Sequence, residues 1–276
     1  MIFLLLVALC SSLVNNTTFG ITGNYTADST GYVGVVVLFS DTDRTELRGY
    51  ATGFLISSRV MITAGHNLIE PTAAVSVCFD DGPIPYEIDE EGKIVDFDAD
   101  KIYEADRFEV YPKYIPTLAG NQEFATSDIG IIILKEEVDG FTDFHLLLPE
   151  ENFADTLSAK TDLRVIGYGL QYQVTPKKNP ENSWVGTVSR NSAIVQLVNN
   201  NFAGGDKYLK LTANNGQDRG GITFGDSGGP VIYSSDEGEM VLAVNAFVSS
   251  DNCRGVSYHT RLDVQQVQEW INGYLE

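Results

Sequence analysis

Short apolar runs alternate with turn residues along most of this chain. The runs are rich in Val, Ile, Tyr and Phe, and Gly, Asn, Asp and Pro separate them at a spacing typical of β-strands. Ten or more short strands with tight turns indicate an all-β sandwich or barrel. The predicted strands are Val33–Phe39, Phe54–Ile56, Val60–Thr63, Ile129–Leu134, Leu163–Ile166, Val185–Val188, Ala193–Val198, Tyr208–Thr212, Pro230–Tyr233 and Val241–Val248.

The C-terminal segment has a helical pattern instead. Its apolar residues recur at spacings of three and four positions, which places them on one face of a helix, and Asp263 suits the N-cap position. We therefore predict a helix over 263–276 that packs back onto the body of the protein. The apolar residues are Val264, Val267, Trp270, Ile271, Tyr274 and Leu275.

The first twenty residues indicate in which cellular compartment the protein resides. Met1–Cys10 is almost wholly apolar, and no charged side chain occurs before Asp28. This apolar run is too short to span a bilayer, which takes about 20 residues. We expect residues 1–20 to be a signal peptide and the protein to be secreted; an uncleaved buried segment is the alternative.

Composition and net charge restrict the classes of molecule that this protein is expected to bind. The chain has 276 residues, 43% of them hydrophobic, and a formal net charge of −20, which disfavours nucleic acid and membrane surfaces as partners. Its three cysteines, Cys10, Cys78 and Cys253, exclude a disulfide-dense scaffold and a zinc site built on paired Cys-x-x-Cys ligands. Whether Cys78 and Cys253 pair is left open by the sequence.

Nearly half of the net charge lies in one segment. Residues 80–109 hold twelve acidic and three basic side chains. Asp96-x-Asp98-x-Asp100 resembles the start of a calcium loop, but Lys101 stands where an EF-hand needs Gly, so an EF-hand is excluded. A looser surface calcium site in 80–109 and a solvated acidic loop both remain as interpretations, and no other cofactor is expected.

The strongest chemical signal is a serine between glycines. Ser227 lies in the run 225–230, Gly-Asp-Ser-Gly-Gly-Pro, directly before an apolar strand. Glycines at these positions allow a sharp turn that exposes the hydroxyl and points successive N–H groups at one place. The sequence therefore predicts a nucleophilic serine beside an oxyanion-binding turn.

A serine hydroxyl needs a base, and the base needs an orienting carboxylate. Among the three histidines, His66 follows a predicted strand and is surrounded by small residues, whereas His145 and His259 fit structural roles. Asp128 leads into a buried strand, where a carboxylate is costly unless it is hydrogen-bonded. We therefore predict His66 as the base and Asp128 as its partner.

Three motifs in the order His, Asp, Ser resemble those of the chymotrypsin/trypsin-like serine endopeptidases. The resemblance implies two packed antiparallel six-stranded β-barrels, about 21–145 and 146–262, followed by the C-terminal helix, with the catalytic residues in the cleft between the barrels. The motifs are Thr63-Ala64-Gly65-His66, Ser127-Asp128-Ile129-Gly130 and 225–230, and they are supported by Thr52–Ser57, Gly167-Tyr168-Gly169 and Tyr258–Leu262.

The resemblance also implies a role for each matching residue. Ser227 would be the nucleophile, His66 the general base and acid, and Asp128 the residue that orients His66. The N–H groups of Gly225 and Ser227 would form the oxyanion hole, and a new terminus at Ile21 would pair with Asp226 on activation. Expected pocket residues are Gly221, Ile222, Phe247 and Val248, which favour apolar or small substrate side chains.

The sequence departs from the family pattern at its disulfides. Ala51 and Asn67 stand where the family usually has a cysteine pair around the histidine, and Thr223 replaces a cysteine before the nucleophile. Two other functions stay open: a catalytically silent protease-fold binding module, and a V8-like Glu-specific endopeptidase, which would want a histidine near Asn245. We expect a monomer whose partners are polypeptide substrates and protein inhibitors.

Overall fold

The structure is a computed structural model that describes residues 21–88, 94–115, 127–141, 148–174, 183–198, 208–214, 216–250 and 252–275. The predicted signal peptide and His145 lie outside these ranges. The strands are β1 (Thr22–Gly23), β2 (Thr26–Ala27), β3 (Val33–Phe39), β4 (Leu47–Leu55), β5 (Val60–Thr63), β6 (Ala74–Cys78), β7 (Tyr86–Ile88), β8 (Ile94–Phe97), β9 (Tyr103–Val110), β10 (Gly130–Leu134), β11 (Asp162–Gly167), β12 (Tyr172–Val174), β13 (Ser183–Val185), β14 (Asn191–Gln196), β15 (Tyr208–Ala213), β16 (Gly220–Gly221), β17 (Pro230–Ser235), β18 (Gly238–Val248) and β19 (Gly255–Arg261). The α-helices are α1 (Gly65–Leu68) and α2 (Gln265–Asn272), and short 3₁₀ turns cover Phe153–Thr156 and Gly216–Asp218.

Six antiparallel strands close the first barrel in the order β10-β5-β4-β3-β6-β9. Its interior is filled by alternating Val, Ile, Leu and Phe side chains, including the fully buried Phe54 and Ile62. Alternation places every second residue of a strand inside the barrel, so these apolar runs close around one core. Helix α2 covers this core from outside, because Val267 and Ile271 are buried in the same cluster.

The second barrel uses six strands in the order β15-β19-β18-β17-β11-β14, with β2 added at the β14 edge. An isolated bridge between Leu197 and Leu211 joins the two ends of the sheet and closes the ring. The all-β fold with two six-stranded barrels and a C-terminal helix is therefore confirmed.

The chain termini are exchanged between the barrels. Strand β1 pairs with β16 and β2 pairs with β14, so residues 22–27 attach to the second barrel. The predicted limits assign these residues to the first barrel. The C-terminal helix packs on the first barrel, where the ring centroids of Trp270 and Tyr111 are 5.2 Å apart. Each barrel thus carries the terminal segment of the other half of the chain.

The prediction that Asp263 is the N-cap of the final helix is wrong. The N-cap is Val264, and the helix covers Gln265–Asn272 only. The Asp263 carboxylate instead binds the Arg261 guanidinium at 2.8 Å and accepts the Ala154 N–H at 2.8 Å. A buried cation next to this carboxylate takes precedence over helix capping, since an unpaired buried Arg would be more costly than an uncapped helix end.

The acidic segment 80–109 is not a loop throughout. It contains the β7–β8 hairpin, and its last part is β9, which belongs to the first barrel. The sequence obscured β9 because acidic side chains alternate with its inward residues, Tyr103 and Ala105. Within the described part of the chain, no group of three or more His, Cys, Asp or Glu side chains could hold a metal ion.

Cys78 and Cys253 are both buried thiols and are not joined to each other. Cys78 ends β6 in the first barrel, whereas Cys253 follows β18 in the second. Packing and hydrogen bonds, not a disulfide, therefore link the described parts of the two barrels. No described helix is long and apolar enough to cross a membrane.

Candidate active site

His66 and Asp128 are hydrogen-bonded to each other between the ends of two paired strands. His66 Nδ1 lies 2.7 Å from Asp128 Oδ2, and Asp128 Oδ1 accepts the His66 backbone N–H at 2.8 Å. The Asp128 side chain is 2% exposed, whereas that of His66 is 35% exposed. The carboxylate thus fixes both the backbone and the ring, and leaves the other edge of the imidazole accessible.

Strand register brings these two residues together. Gly130 pairs with Thr63 across β10 and β5, so the residue two positions before Gly130 meets the residue three positions after Thr63. Gly65 permits the close approach, because a Cβ there would lie 3.2 Å from Asp128 Oδ1 and 2.9 Å from the Ile129 carbonyl. The small residues around His66 therefore have a packing role that their sequence position did not show.

The turn that carries Ser227 is held against the first barrel. The Ser227 carbonyl accepts a hydrogen bond from the Thr52 N–H at 2.9 Å and another from the Asn67 side-chain amide at 3.3 Å. Asn67 directly follows His66. Gly228, at φ +90°, fits only without a side chain, since a Cβ would lie 2.1 Å from the Thr52 carbonyl. The half-buried Ser227 thus lies beside the histidine segment, at the boundary of the two barrels.

The N–H groups of the turn divide into two sets. Those of Asp226, Gly228 and Gly229 donate to backbone carbonyls. Those of Gly225 and Ser227 donate to no acceptor among the described residues. The Phe224 carbonyl accepts the Leu170 N–H at 2.9 Å, and in a trans peptide the N–H of Gly225 must then point the opposite way. The two predicted oxyanion donors are therefore the two that are open to a ligand.

Asp226 is fully buried below this turn. Its Oδ1 accepts the Gly169 N–H at 2.7 Å and its Oδ2 the Thr223 N–H at 2.7 Å. Burial raises the pKa of Asp226 to about 7, although these hydrogen bonds pull it down. No cationic side chain within the described residues pairs with it. A carboxyl in this state would be stabilised as an anion by a buried positive charge.

Ile21 is also fully buried, in the apolar core of the second barrel. The next residue, Thr22, pairs with Gly221, which lies five positions before Asp226. Ile21 directly precedes β1 and Asp226 follows β16, so the two predicted partners are carried by segments that adjoin a pair of hydrogen-bonded strands.

The expected pocket residues divide by exposure. Gly221 and Ile222 are buried, and a Cβ at Gly221 would lie 2.9 Å from the Ala213 Cα. Phe247 and Val248 are half-buried, and the Phe247 ring stacks on Tyr258 with centroids 4.8 Å apart. Side chains at 247 and 248 are thus the members of the predicted set that can touch a ligand directly.

His259 is buried and has a hydrogen-bond partner at each of its ring nitrogens. Its Nδ1 lies 2.9 Å from Asn245 Oδ1 and its Nε2 lies 2.8 Å from Ser257 Oγ. A V8-like site needs a histidine near Asn245; the sequence has none within a few residues, but the fold places His259 in contact with Asn245. Burial lowers the pKa of His259 to about 3, so this imidazole is neutral and cannot supply the positive charge that a Glu side chain would need.

These features define the class of protein. A chymotrypsin-type double barrel with a His–Asp pair and a Gly-Asp-Ser-Gly turn at its cleft is a serine protease fold. The family model for Trypsin matches residues 24–271, and the chain belongs to the trypsin family. A peptidase function follows at the level of the family.

Solved structures agree on the fold. HL collagenase is 17% identical, with a TM-score of 0.64 and coverage of 93% of this chain and 98% of that one. Human heparin binding protein is 18% identical, with a TM-score of 0.62 and coverage of 92% and 96%. A mutant of human heparin binding protein is 18% identical, with a TM-score of 0.61 and coverage of 91% of this chain and 93% of that one. A search of curated protein sequences found no match.

Proposed function

We propose that this protein is a secreted serine endopeptidase that cleaves peptide bonds through an acyl-enzyme. The observation that carries the proposal is the pairing of His66 with a buried Asp128 opposite a serine turn whose Gly225 and Ser227 N–H groups have no described protein acceptor. Trypsin-family membership supports the chemistry, and family members are typically secreted.

In the proposed reaction Ser227 Oγ attacks the carbonyl carbon of the scissile bond and gives its proton to His66. The new C–O bond leaves a negative charge on the carbonyl oxygen, which the N–H groups of Gly225 and Ser227 stabilise, each by about 3 kcal/mol. His66 then returns the proton to the amine as the C–N bond breaks. Water repeats the sequence and releases the acid, while Asp128 keeps the imidazole oriented and stabilises its cation.

Activation is proposed to require a free amine at Ile21. The Asp226 carboxyl is buried without a cationic partner among described residues, and burial raises its pKa to about 7. Cleavage after Gly20 would convert the Ile21 amide nitrogen into an amine beside the segment that carries Asp226. N-terminal sequencing of the active protein is expected to begin at Ile21, and a fully active form that begins elsewhere would contradict this step.

The proposed specificity is for apolar or small side chains before the scissile bond. Gly221, Ile222, Phe247 and Val248 supply no charge to a pocket, so a Lys, Arg or Glu side chain would lose hydration without compensation. Burying apolar atoms there would gain about 0.8 kcal/mol per CH₂. Profiling of cleavage sites with a peptide library tests this preference; dominant cleavage after Lys, Arg or Glu would contradict it.

The alternative is a catalytically silent binding module of the same fold. Heparin binding protein shares this fold and its name states a ligand, but heparin is a polyanion and the present chain has a net charge of −20. Like charges disfavour such an interaction. A heparin-like ligand is therefore a poor candidate for this chain, and the intact His66–Asp128 pair favours catalysis.

One experiment distinguishes a serine endopeptidase from a catalytically silent binding module. Protein beginning at Ile21 is expected to react with a fluorophosphonate probe at Ser227 and to hydrolyse peptide libraries, because the hydroxyl is activated by His66. Ser227→Ala should lower kcat by about 10⁴-fold or more and abolish labelling. The Thr161→Ala variant, which removes an exposed hydroxyl that donates to the Ser158 carbonyl, is the matched control and should keep both properties. A wild-type protein that neither labels nor hydrolyses would favour the binding module.

A further inference from the structure

Three polar side chains of the first barrel hold the catalytic turn of the second. Thr52 Oγ1 donates to the Gly225 carbonyl at 2.8 Å, and Asn67 Nδ2 donates to the Ser227 carbonyl at 3.3 Å. Asn67 Nδ2 also donates to Thr63 Oγ1 at 3.0 Å, and Thr63 Oγ1 donates to the Thr52 carbonyl at 2.7 Å. The three side chains are thus one connected network.

The network is fully inside the protein. Thr52 and Thr63 have no exposed surface, and Asn67 is 5% exposed. In such surroundings a hydrogen bond is electrostatically stronger than in water, and a missing partner is costly. Each of these side chains is therefore held in one geometry.

The carbonyls that the network binds belong to the residues with the open N–H groups. Thr52 binds through its hydroxyl at Gly225 and through its N–H at Ser227, at 2.9 Å. These carbonyls lie in the peptide planes that directly follow the two open N–H groups, so binding them limits rotation about the Cα atoms of Gly225 and Ser227. Since Asn67 directly follows His66, the same contacts set the distance between the base and the nucleophile turn.

We infer that Thr52, Thr63 and Asn67 form a positioning clamp, which sets the oxyanion donors and Ser227 relative to His66. The clamp occupies the region where the family usually has a cysteine pair, so directional hydrogen bonds replace a covalent link. The inference rests on the proposed function for its catalytic consequence, but the clamp itself is a statement about the mobility of residues 223–229.

The decisive variant is Thr52→Val, which keeps the shape of the side chain and removes the hydroxyl. We expect kcat to fall by about 10- to 100-fold with KM nearly unchanged, because a misplacement of about 1 Å can cost roughly 100-fold. Thr52→Ser retains the hydroxyl and should restore most of kcat. A boronate inhibitor, which mimics the oxyanion, should lose affinity by the same factor as kcat.

Asn67→Ala removes the hydrogen bond to the Ser227 carbonyl and should also lower kcat. Its matched control is Asn191→Ala, because Asn191 is equally buried but its amide donates to Ser189 within the second barrel. The control removes one buried hydrogen bond and should leave kcat unchanged. If Asn67→Ala does not fold, Thr52→Val and Thr52→Ser still carry the test.

Amide hydrogen exchange over residues 223–229 tests the clamp without any activity. Exchange should accelerate in Thr52→Val and Asn67→Ala and stay at the wild-type rate in Asn191→Ala. Unchanged exchange in the first two variants overturns the clamp, whether or not the wild type is an enzyme. A loss of thermal stability with unchanged kcat also overturns it, whereas wild-type protein that neither hydrolyses nor labels overturns the proposed function alone.

Discussion

The buried carboxyl of Asp226 makes a prediction about stability and pH. In a chain that still carries residue 20, the Ile21 nitrogen is an amide and cannot pair with Asp226 as a cation. Burial raises the pKa of this carboxyl from 3.8 to about 7. The folded state therefore holds a proton that the unfolded state releases, and stability falls as pH rises through this range.

The size of the effect follows from the pKa. Between pH 5 and pH 7 the folded chain binds about one proton more than the unfolded chain at this site, which costs about 1.4 kcal/mol per pH unit, or about 3 kcal/mol in all. Above about pH 7 the carboxyl is ionised in both states and the cost is constant. Asp226→Asn has no such proton, although its single carbonyl oxygen leaves one of the two backbone N–H groups unpaired.

The assay is urea unfolding of wild type and Asp226→Asn at pH 5 and pH 8. Both carry Ser227→Ala, which prevents self-cleavage and keeps residue 20 attached. The wild type should lose about 3 kcal/mol relative to Asp226→Asn on going from pH 5 to pH 8. The unpaired N–H of the Asn variant is present at both pH values and cancels, as does the titration of His259.

Matched proteins that begin at Ile21 complete the test. Their terminal amine, with an ordinary pKa near 8, gives the carboxylate a partner, so the relative loss should disappear. A relative change below about 1 kcal/mol in the uncut proteins would refute the reasoning. It would mean that burial does not keep the carboxyl protonated at pH 5.

Four further outcomes are expected. Asp128→Asn should lower kcat by about 10⁴-fold, because an amide cannot accept both the backbone N–H and the Nδ1–H of His66; steady-state kinetics at pH 8 measure it. His259→Gln should flatten the loss of stability as pH falls from 7 to 4 in urea titrations, since its pKa of about 3 lies below the unfolded value of 6.5. Tyr50→Phe should stabilise the protein by about 1 kcal/mol in thermal unfolding, because the buried Tyr50 hydroxyl has no hydrogen-bond partner among the described residues. Val248→Gly should shift peptide-library cleavage towards larger apolar side chains, because it removes a half-buried side chain from the predicted pocket.

The sequence was sufficient for the fold, and it located the motifs that make up the candidate site, because both rest on local signals. The apolar runs of β3, β5, β10 and β17 coincide with the predicted strands within a residue or two. The turn around Ser227 needs glycines at fixed positions, and that requirement is visible in any single sequence. The assignments that depended on residues far apart in the chain were less complete.

Strands with weak apolar patterns were missed. Acidic residues alternate along β9, and the two-residue strands β1 and β2 carry no pattern at all. Their pairing is decided by the barrel around them, since an edge with unpaired backbone groups recruits whatever segment lies nearby. The sequence therefore placed residues 22–27 in the wrong half of the molecule.

Polar partners across strands were also missed. Asn245 and His259 are fourteen residues apart, and their contact depends on the β18–β19 register, which includes an irregularity after Asn245. Thr52 and Asn67 lie in motifs that were noted, but their partners are more than 150 residues away. Such contacts follow from the packing of two barrels, which no local pattern specifies.

The boundary between the barrels is held by directional bonds as well as by apolar packing. Besides the clamp, Arg190 of the second barrel is buried and donates to the Val33 and Phe79 carbonyls of the first at 3.0 and 2.9 Å. It lies 3.9 Å from Asp28, which also binds Arg164 at 2.7 Å.

A buried charge with partners of this kind adds little net stability, yet it penalises any arrangement that leaves it unpaired. Apolar surfaces tolerate sliding, whereas carbonyls bound by Thr52, Asn67 and Arg190 do not. Cys78 and Cys253 are not joined to each other, so the alignment of His66 with Ser227 depends on polar contacts that specify one relative position of the two barrels.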